Sequence, residues 1–245
     1  MFGSGESTAS MRRRFFCIRR GLLGLLWPTR MRALLLDLYD TIARVDFSVI
    51  SPRLSEGLGV DVNTLFRAFV ATKLPRNTGQ YRSFAGDLDA LAQAAGVRAS
   101  PGHLSQLADE VTELSKHNVH LYDDVVPTLS RFRAAGIKLA IVSNCDHVTR
   151  PVVSALGLGS LVDDIVLSCE VGWCKPDPRI WQTALARLDV PPHEAGFVDD
   201  QGAFVAAARA IGLRSFQMLR SADAPRAAGE TVVFELASLL TILIA

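Results

Sequence analysis

The chain has 245 residues, 49% of them hydrophobic, and a formal net charge of +1. That length and apolar content exclude a collagenous, low-complexity or disulfide-stapled miniature and fit one large domain, or a core carrying an insertion. The charge is uneven. Residues 1–32 hold seven arginines and one acid, which leaves 19 basic and 24 acidic side chains for the rest, so the body lacks the basic stripe that a nucleic-acid partner requires.

No apolar run reaches the ~18 residues of a membrane span, and no membrane partner is expected. Cys17, Cys145, Cys169 and Cys174 form no CxxC pair and no zinc-ligand spacing, which predicts reduced thiols and, by default, a cytoplasmic location. Arg12-Arg13-Arg14-Phe15-Phe16 has features of a twin-arginine export signal. Arg19 and Arg20 break its apolar region and leave only Gly21–Trp27. An acid-poor, arginine-rich start also suits an organellar transit peptide. The reading preferred over both is a disordered or non-native extension over residues 1–30, with translation starting at Met31.

From Arg32 the patterns alternate. Ala33–Leu36 is a short continuous apolar run, as expected of a strand buried on both faces. Further strands are predicted at Lys138–Val142, Ile165–Leu167, Gly196–Val198 and Arg214–Gln217. Helical patterns lie between them, at about Asp123–Ala135, His147–Ala155, Pro178–Leu188 and Gly202–Ile211. Strand–helix alternation predicts an α/β fold, a Rossmann-like parallel sheet with helices on both faces. Residues 47–121 break the alternation with helices predicted around Val62–Lys73, Ser83–Ala95 and His103–Lys116, and a polar turn over Pro75–Tyr81. The expected organisation is therefore a core of residues 31–46 and 122–245, with an all-helical cap at 47–121 over the sheet edge where open α/β folds bind ligands.

Four short segments follow predicted strands: Asp37-Leu38-Tyr39-Asp40-Thr41, Ser143-Asn144, Lys175-Pro176 and Val198-Asp199-Asp200. Taken singly, each has a bland reading as a turn, a cap or a solvated lysine. In this order and placement they converge on one sheet edge. Two carboxylates ~4 Å apart repel by about 4 kcal/mol at an effective dielectric of 20. Lys175 offsets part of that, and Mg²⁺, which takes one or two carboxylates with water and phosphate, offsets the rest. The set thus predicts a phosphate site in which Thr41, Ser143 and backbone N–H groups donate to phosphoryl oxygens and Asp37 attacks as a covalent nucleophile.

These motifs resemble the haloacid dehalogenase (HAD) superfamily, from about Arg32 to Phe234, with DLYDT at Asp37–Thr41, VSN at Val142–Asn144, KPDPRIW at Lys175–Trp181 and FVDDQ at Phe197–Gln201. The resemblance implies that Asp37 is the nucleophile, that Thr41 and Ser143 bind the transferring group, and that Lys175 steadies nucleophile and phosphate. It implies that Asp37, the carbonyl of Tyr39 and Asp200 hold Mg²⁺, with Asp199 assisting directly or at one remove. The helical segment matches the cap that the family places between its first and second motifs.

The match departs at Tyr39, where the family's phosphatases carry a second Asp that protonates the leaving alcohol. A phenol of pKa near 10 is a poor base at neutral pH, and the lost acid–base catalysis is worth roughly 10²–10⁴-fold. Asp40, one residue off, is expected to point elsewhere. Tyr at this position resembles the metal-independent 2-haloacid dehalogenases, but those carry Gly at position 40, Tyr at 181 and Ser/Asn in the fourth motif. Three expectations follow: a Mg²⁺-dependent hydrolase of a small phosphate ester, a haloacid dehalogenase, or a catalytically weak interaction or regulatory protein. Either a monomer or a homodimer is compatible with the sequence. Of the remaining candidates, Arg76 and Arg82 read as solvated arginines, Cys145 and Cys174 as packing residues, His117 and His120 as solvated, and Trp181 as a residue packing its helix on the sheet.

Overall fold

The computed structural model describes residues 30–221 and 223–243. The expectation for the arginine-rich N-terminal extension lies outside them. In chain order the core begins with β1 (Ala33–Leu36) and β2 (Ala43–Val45). Four helices follow: α1 (Phe47–Leu58), α2 (Val62–Asn77), α3 (Phe84–Ala94) and α4 (Pro101–Asn118). The chain then runs through β3 (Val119–Leu121), α5 (Val125–Ala134), β4 (Lys138–Ser143), α6 (Thr149–Ala155), β5 (Asp164–Leu167) and α7 (Ser168–Val171). It ends with α8 (Pro178–Leu188), β6 (Ala195–Asp199), α9 (Gly202–Ala210), β7 (Arg214–Met218), β8 (Val232–Val233) and α10 (Ser238–Leu243).

Six strands form one sheet in the order β5-β4-β1-β6-β7-β8, and every pairing in it is parallel. Side chains alternate along each strand, and the apolar runs feed two cores. Leu34 and Leu36 of β1 join Leu139 and Ile141 of β4 on one face. Ala33 and Leu35 join Ala140, Val142 and Phe197 on the other. On that second face Trp181 of α8 is fully buried and meets Phe197 edge-on, 5.4 Å between ring centroids. Winding reverses about β1, whose chain continues to β4 on one side while β6 and β7 lie on the other. Such a switch point opens a crevice at the strands' C-terminal ends.

β2 and β3 pair antiparallel where the chain leaves and rejoins the sheet layer. Between them the four helices pack around a hydrophobic cluster of their own, including Leu54, Leu65, Leu88, Leu91, Leu107 and Val111. Each of the four starts on a side-chain cap: Asp46, Asp61, Ser83 and Ser100 accept from backbone N–H groups of the first turn. The periodicity signals three of these helices and misses α1, which carries Pro52 and Gly57. Gly57 lets Leu107 of α4 approach closely, since a Cβ there would stand 2.4 Å from Leu107 Cδ1. The polar turn expected over Pro75–Tyr81 also needs correction, because α2 runs on through Pro75 to Asn77. No helix among the described residues is long and apolar enough to cross a membrane.

Candidate active site

Asp37 leaves β1 with its N–H donating to Val198 O, 2.9 Å away, so the first and fourth motifs are tied across neighbouring strands. The following turn closes tightly: Asp40 N–H donates to Ala43 O at 2.7 Å, and Ala43 N–H to Leu38 O at 2.8 Å. Asp40 adopts φ +57°, a left-handed geometry that Asp tolerates better than most side chains. Asp40 and Asp200 line a cavity of about 350 Å³ together with Gln201, Gln217, Arg220 and Arg226.

Lys175 is buried and donates to Asp37 Oδ1 at 2.5 Å and to Asp199 Oδ2 at 2.6 Å. The rings of Phe197 and Phe204 lie 5.6 and 5.3 Å from its ammonium. Burial works against its charge, but Asp199 and Asp37 outweigh burial and hold it protonated, well above its ordinary value. Asp199 Oδ1 also accepts from Gln201 N–H at 2.8 Å. Carboxylate oxygens of Asp37, Asp199 and Asp200 all lie within 4.8 Å of one another. Burial, followed by repulsion from Asp199, pushes Asp37 up to about 7 despite Lys175. Asp200 is pushed up to about 8 by burial, then by Asp37 and Asp199.

One ammonium therefore faces three carboxylates, a donor set of hard oxygens with excess negative charge that fits a hard divalent cation. Two further orphans stand in the same site. Thr41 Oγ1 and Ser143 Oγ are buried and have no hydrogen-bond partner, and such groups cost about 1–3 kcal/mol each unless a ligand engages them. Asn144 has a different task. Its Nδ2 donates to Lys175 O at 2.8 Å and its Oδ1 accepts from Lys175 N–H at 2.7 Å, so it clamps the backbone that presents the ammonium.

Tyr39 shares a 3.1 Å hydrogen bond with Thr149 Oγ1. Burial pushes its phenol far above the ordinary value, which keeps it protonated. The loop after β4 supplies residues the motif reading does not identify. Asp146 accepts from Arg76 Nη1 at 2.7 Å, and His147 Nδ1 lies 2.8 Å from Asp87 Oδ2. The solvated reading of Arg76 is overturned: the residue is 4% exposed. Its Nε donates to Thr72 Oγ1 at 3.0 Å and its Nη2 to Phe69 O at 3.1 Å. Positions 69, 72 and 76 share one face of a helix, and that spacing is the signal that finds the contact once α2 is known to continue. Arg82, His117 and His120 are exposed. Cys145 and Cys169 are buried free thiols.

Compared with known families, residues 31–212 match the one described as haloacid dehalogenase-like hydrolase. The chain is 28% identical over 198 residues to (S)-2-haloacid dehalogenase 1 of Pseudomonas sp. strain CBS-3, covering 78% of this chain and 85% of that protein. It is 39% identical over 113 residues to Acyl-CoA dehydrogenase family member 10 of Mus musculus, covering 46% of this chain and 10% of that protein. For six other curated relatives the match spans between 35% and 55% of their own length. Among solved structures, a HAD phosphatase from Thermococcus onnurineus superposes with a TM-score of 0.66 at 25% identity, over 87% of this chain and 98% of that one.

Proposed function

Because this chain belongs to the haloacid dehalogenase-like hydrolase family, we propose that it hydrolyses a small phosphate monoester in a Mg²⁺-dependent reaction, through an aspartyl-phosphate on Asp37. The observation that carries this reading is the convergence of Asp37, Asp199 and Asp200 within 4.8 Å beside two unpartnered buried hydroxyls, Thr41 and Ser143. Carboxylates crowded in this way favour a divalent cation and disfavour a bare organic anion.

Asp37, the carbonyl of Tyr39 and Asp200 would hold the ion. When bound, it screens the negative charge of the nucleophile and the phosphoryl group from one another. Asp199 acts at one remove, anchoring Lys175. Thr41, Ser143 and Lys175 donate to phosphoryl oxygens and hold phosphorus in line with the Asp37 oxygen. That oxygen forms a bond to phosphorus as the ester P–O bond breaks and the alkoxide departs. Water then attacks the aspartyl-phosphate, releases phosphate and restores Asp37. The four helices α1–α4 act as the cap that covers the site and selects the leaving group.

Tyr39 cannot supply the leaving-group proton, so turnover favours phosphates whose alcohol is acidic. Aryl phosphates are expected to be cleaved in Mg²⁺ and alkyl phosphates slowly, with both activities lost on complete chelation. Phosphatase turnover that survives chelation sinks the reading. Tyr39 supports a second reading, as does the 28% identity over 85% of (S)-2-haloacid dehalogenase 1. In it Asp37 displaces halide from a 2-haloacid and water hydrolyses the ester, with no proton needed by the leaving group. Halide release from 2-chloropropionate in chelator decides between the two.

A further inference from the structure

β4 and β5 pair in parallel up to Ser143↔Leu167. Two residues beyond each partner stand Cys145, in the loop after β4, and Cys169, in the first turn of α7. Ser168 fastens the two segments beyond the ladder: its Oγ accepts from Cys145 N–H at 2.9 Å and donates to Cys145 O at 3.2 Å. The sulfurs lie 4.0 Å apart, and Tyr39 packs against the pair. Both residues are nearly enclosed, 5% exposed for Cys145 and 7% for Cys169, which suits only an oxidant as small as hydrogen peroxide.

We propose that Cys145 and Cys169 are an oxidation site, joined by hydrogen peroxide into a disulfide that lowers turnover at Asp37. Both ends of the bridge touch working parts. Cys145 follows Asn144, whose amide clamps the Lys175 backbone. Cys169 meets the turn after α2: Gly79 approaches so closely that a Cβ there would stand 1.9 Å from Cys169 O. Drawing the sulfurs from 4.0 Å to a bond of about 2.05 Å displaces one of these contacts. A shift of 1 Å at catalytic groups costs on the order of 100-fold in rate.

The chemistry balances with hydrogen peroxide as oxidant. Cys145 sulfur attacks one peroxide oxygen, the O–O bond breaks, and a sulfenic acid forms with release of water. Cys169 sulfur then attacks the sulfenic sulfur, the S–S bond forms, and the hydroxyl leaves as water with the Cys169 proton. The dithiol loses two electrons and the peroxide gains them.

The effect on turnover rests on the proposed function, whereas the bridge does not, and one experiment separates them. The full chain, reduced and then freed of reductant, is titrated with hydrogen peroxide, digested without reduction and analysed by mass spectrometry. The expected product is a Cys145–Cys169 cross-linked peptide lighter by two hydrogens. Turnover of an aryl phosphate is expected to fall by about 10- to 100-fold and to return with dithiothreitol. Cys145→Ser and Cys169→Ser each keep their turnover in peroxide. A reduced protein without phosphatase activity that still forms the peptide defeats the function and leaves the site standing. Peroxide that yields only sulfinic acids, or bridges to Cys17 or Cys174, overturns the site, and a bridge that leaves an active enzyme unchanged overturns the regulation.

Discussion

Two positions beyond the nucleophile stands a phenol whose hydroxyl is engaged with Thr149 Oγ1 and kept protonated by burial. Replacing it with a carboxylate supplies the acid and base that Tyr39 cannot be. Tyr39→Asp is expected to raise turnover of alkyl phosphates by about 10²-fold, with a smaller gain for aryl phosphates whose leaving groups need no proton. A rise in kcat confined to poor leaving groups checks the assignment, and no rise for any ester sinks it. Asp37→Asn keeps the shape and removes the nucleophile. Turnover is expected to drop by at least about 10³-fold, with an unchanged circular dichroism spectrum.

Between elements, the loop after β4 acts as a joint. It reaches α2 through Asp146 and Arg76 and α3 through His147 and Asp87, and Thr149 at the start of α6 meets Tyr39 of the nucleophile turn. Arg76→Ala leaves Asp146 without its cation and opens the space beside Phe69, over whose ring the guanidinium lies at 4.5 Å. The cost is expected to be about 3 kcal/mol, read as a lower urea midpoint, with faster hydrogen exchange confined to α2 and α3. Gly79 has φ +70° and no room for a Cβ against Cys169 O. Gly79→Ala is therefore expected to lift the helical layer and raise KM more than it lowers kcat, and an unchanged KM speaks against α1–α4 as the cap.

Over the whole molecule, the acidic cluster makes stability depend on pH and metal. Asp37 and Asp200 are raised from 3.8 to about 7 and about 8, so the folded state binds protons that the unfolded state has lost. Their contribution to stability is fully present below about pH 4 and declines as pH rises through 7 and 8, the reverse of an ordinary salt-bridged carboxylate. In chelator, the melting temperature is expected to fall between pH 5 and pH 9, beyond the trend of the Asp37→Asn/Asp200→Asn double variant. Mg²⁺ at about 100 times its Kd adds about 2.7 kcal/mol, on the order of 5–10 °C for a chain of this size, and adds more at pH 8 than at pH 5. A flat pH profile in chelator together with no response to Mg²⁺ defeats the metal assignment.

The sheet was legible because its signals are local. A short continuous apolar run such as Ala33–Leu36 marks a strand buried on both faces, and the alternation with helices marks the sheet as parallel. The four motifs could be placed because each directly follows a strand, and parallel strands end on one edge. Helix α1 was hidden because Pro52 and Gly57 break the local pattern, and the close approach of Leu107 of α4 to Gly57 is visible only in the packed structure. Arg76 with Asp146, and Cys145 with Cys169, join segments tens of residues apart in the chain. Periodicity fixes which face of an element is apolar, but which residue of one element meets which residue of another is set by packing. The amino-acid order by itself determined the parallel sheet and the convergence of acids and lysine on its edge. The tertiary structure decided that Tyr39 bonds Thr149, that Arg76 is buried, and that two thiols meet against Tyr39, because side-chain partners are chosen by the space left once sheet and helices have packed.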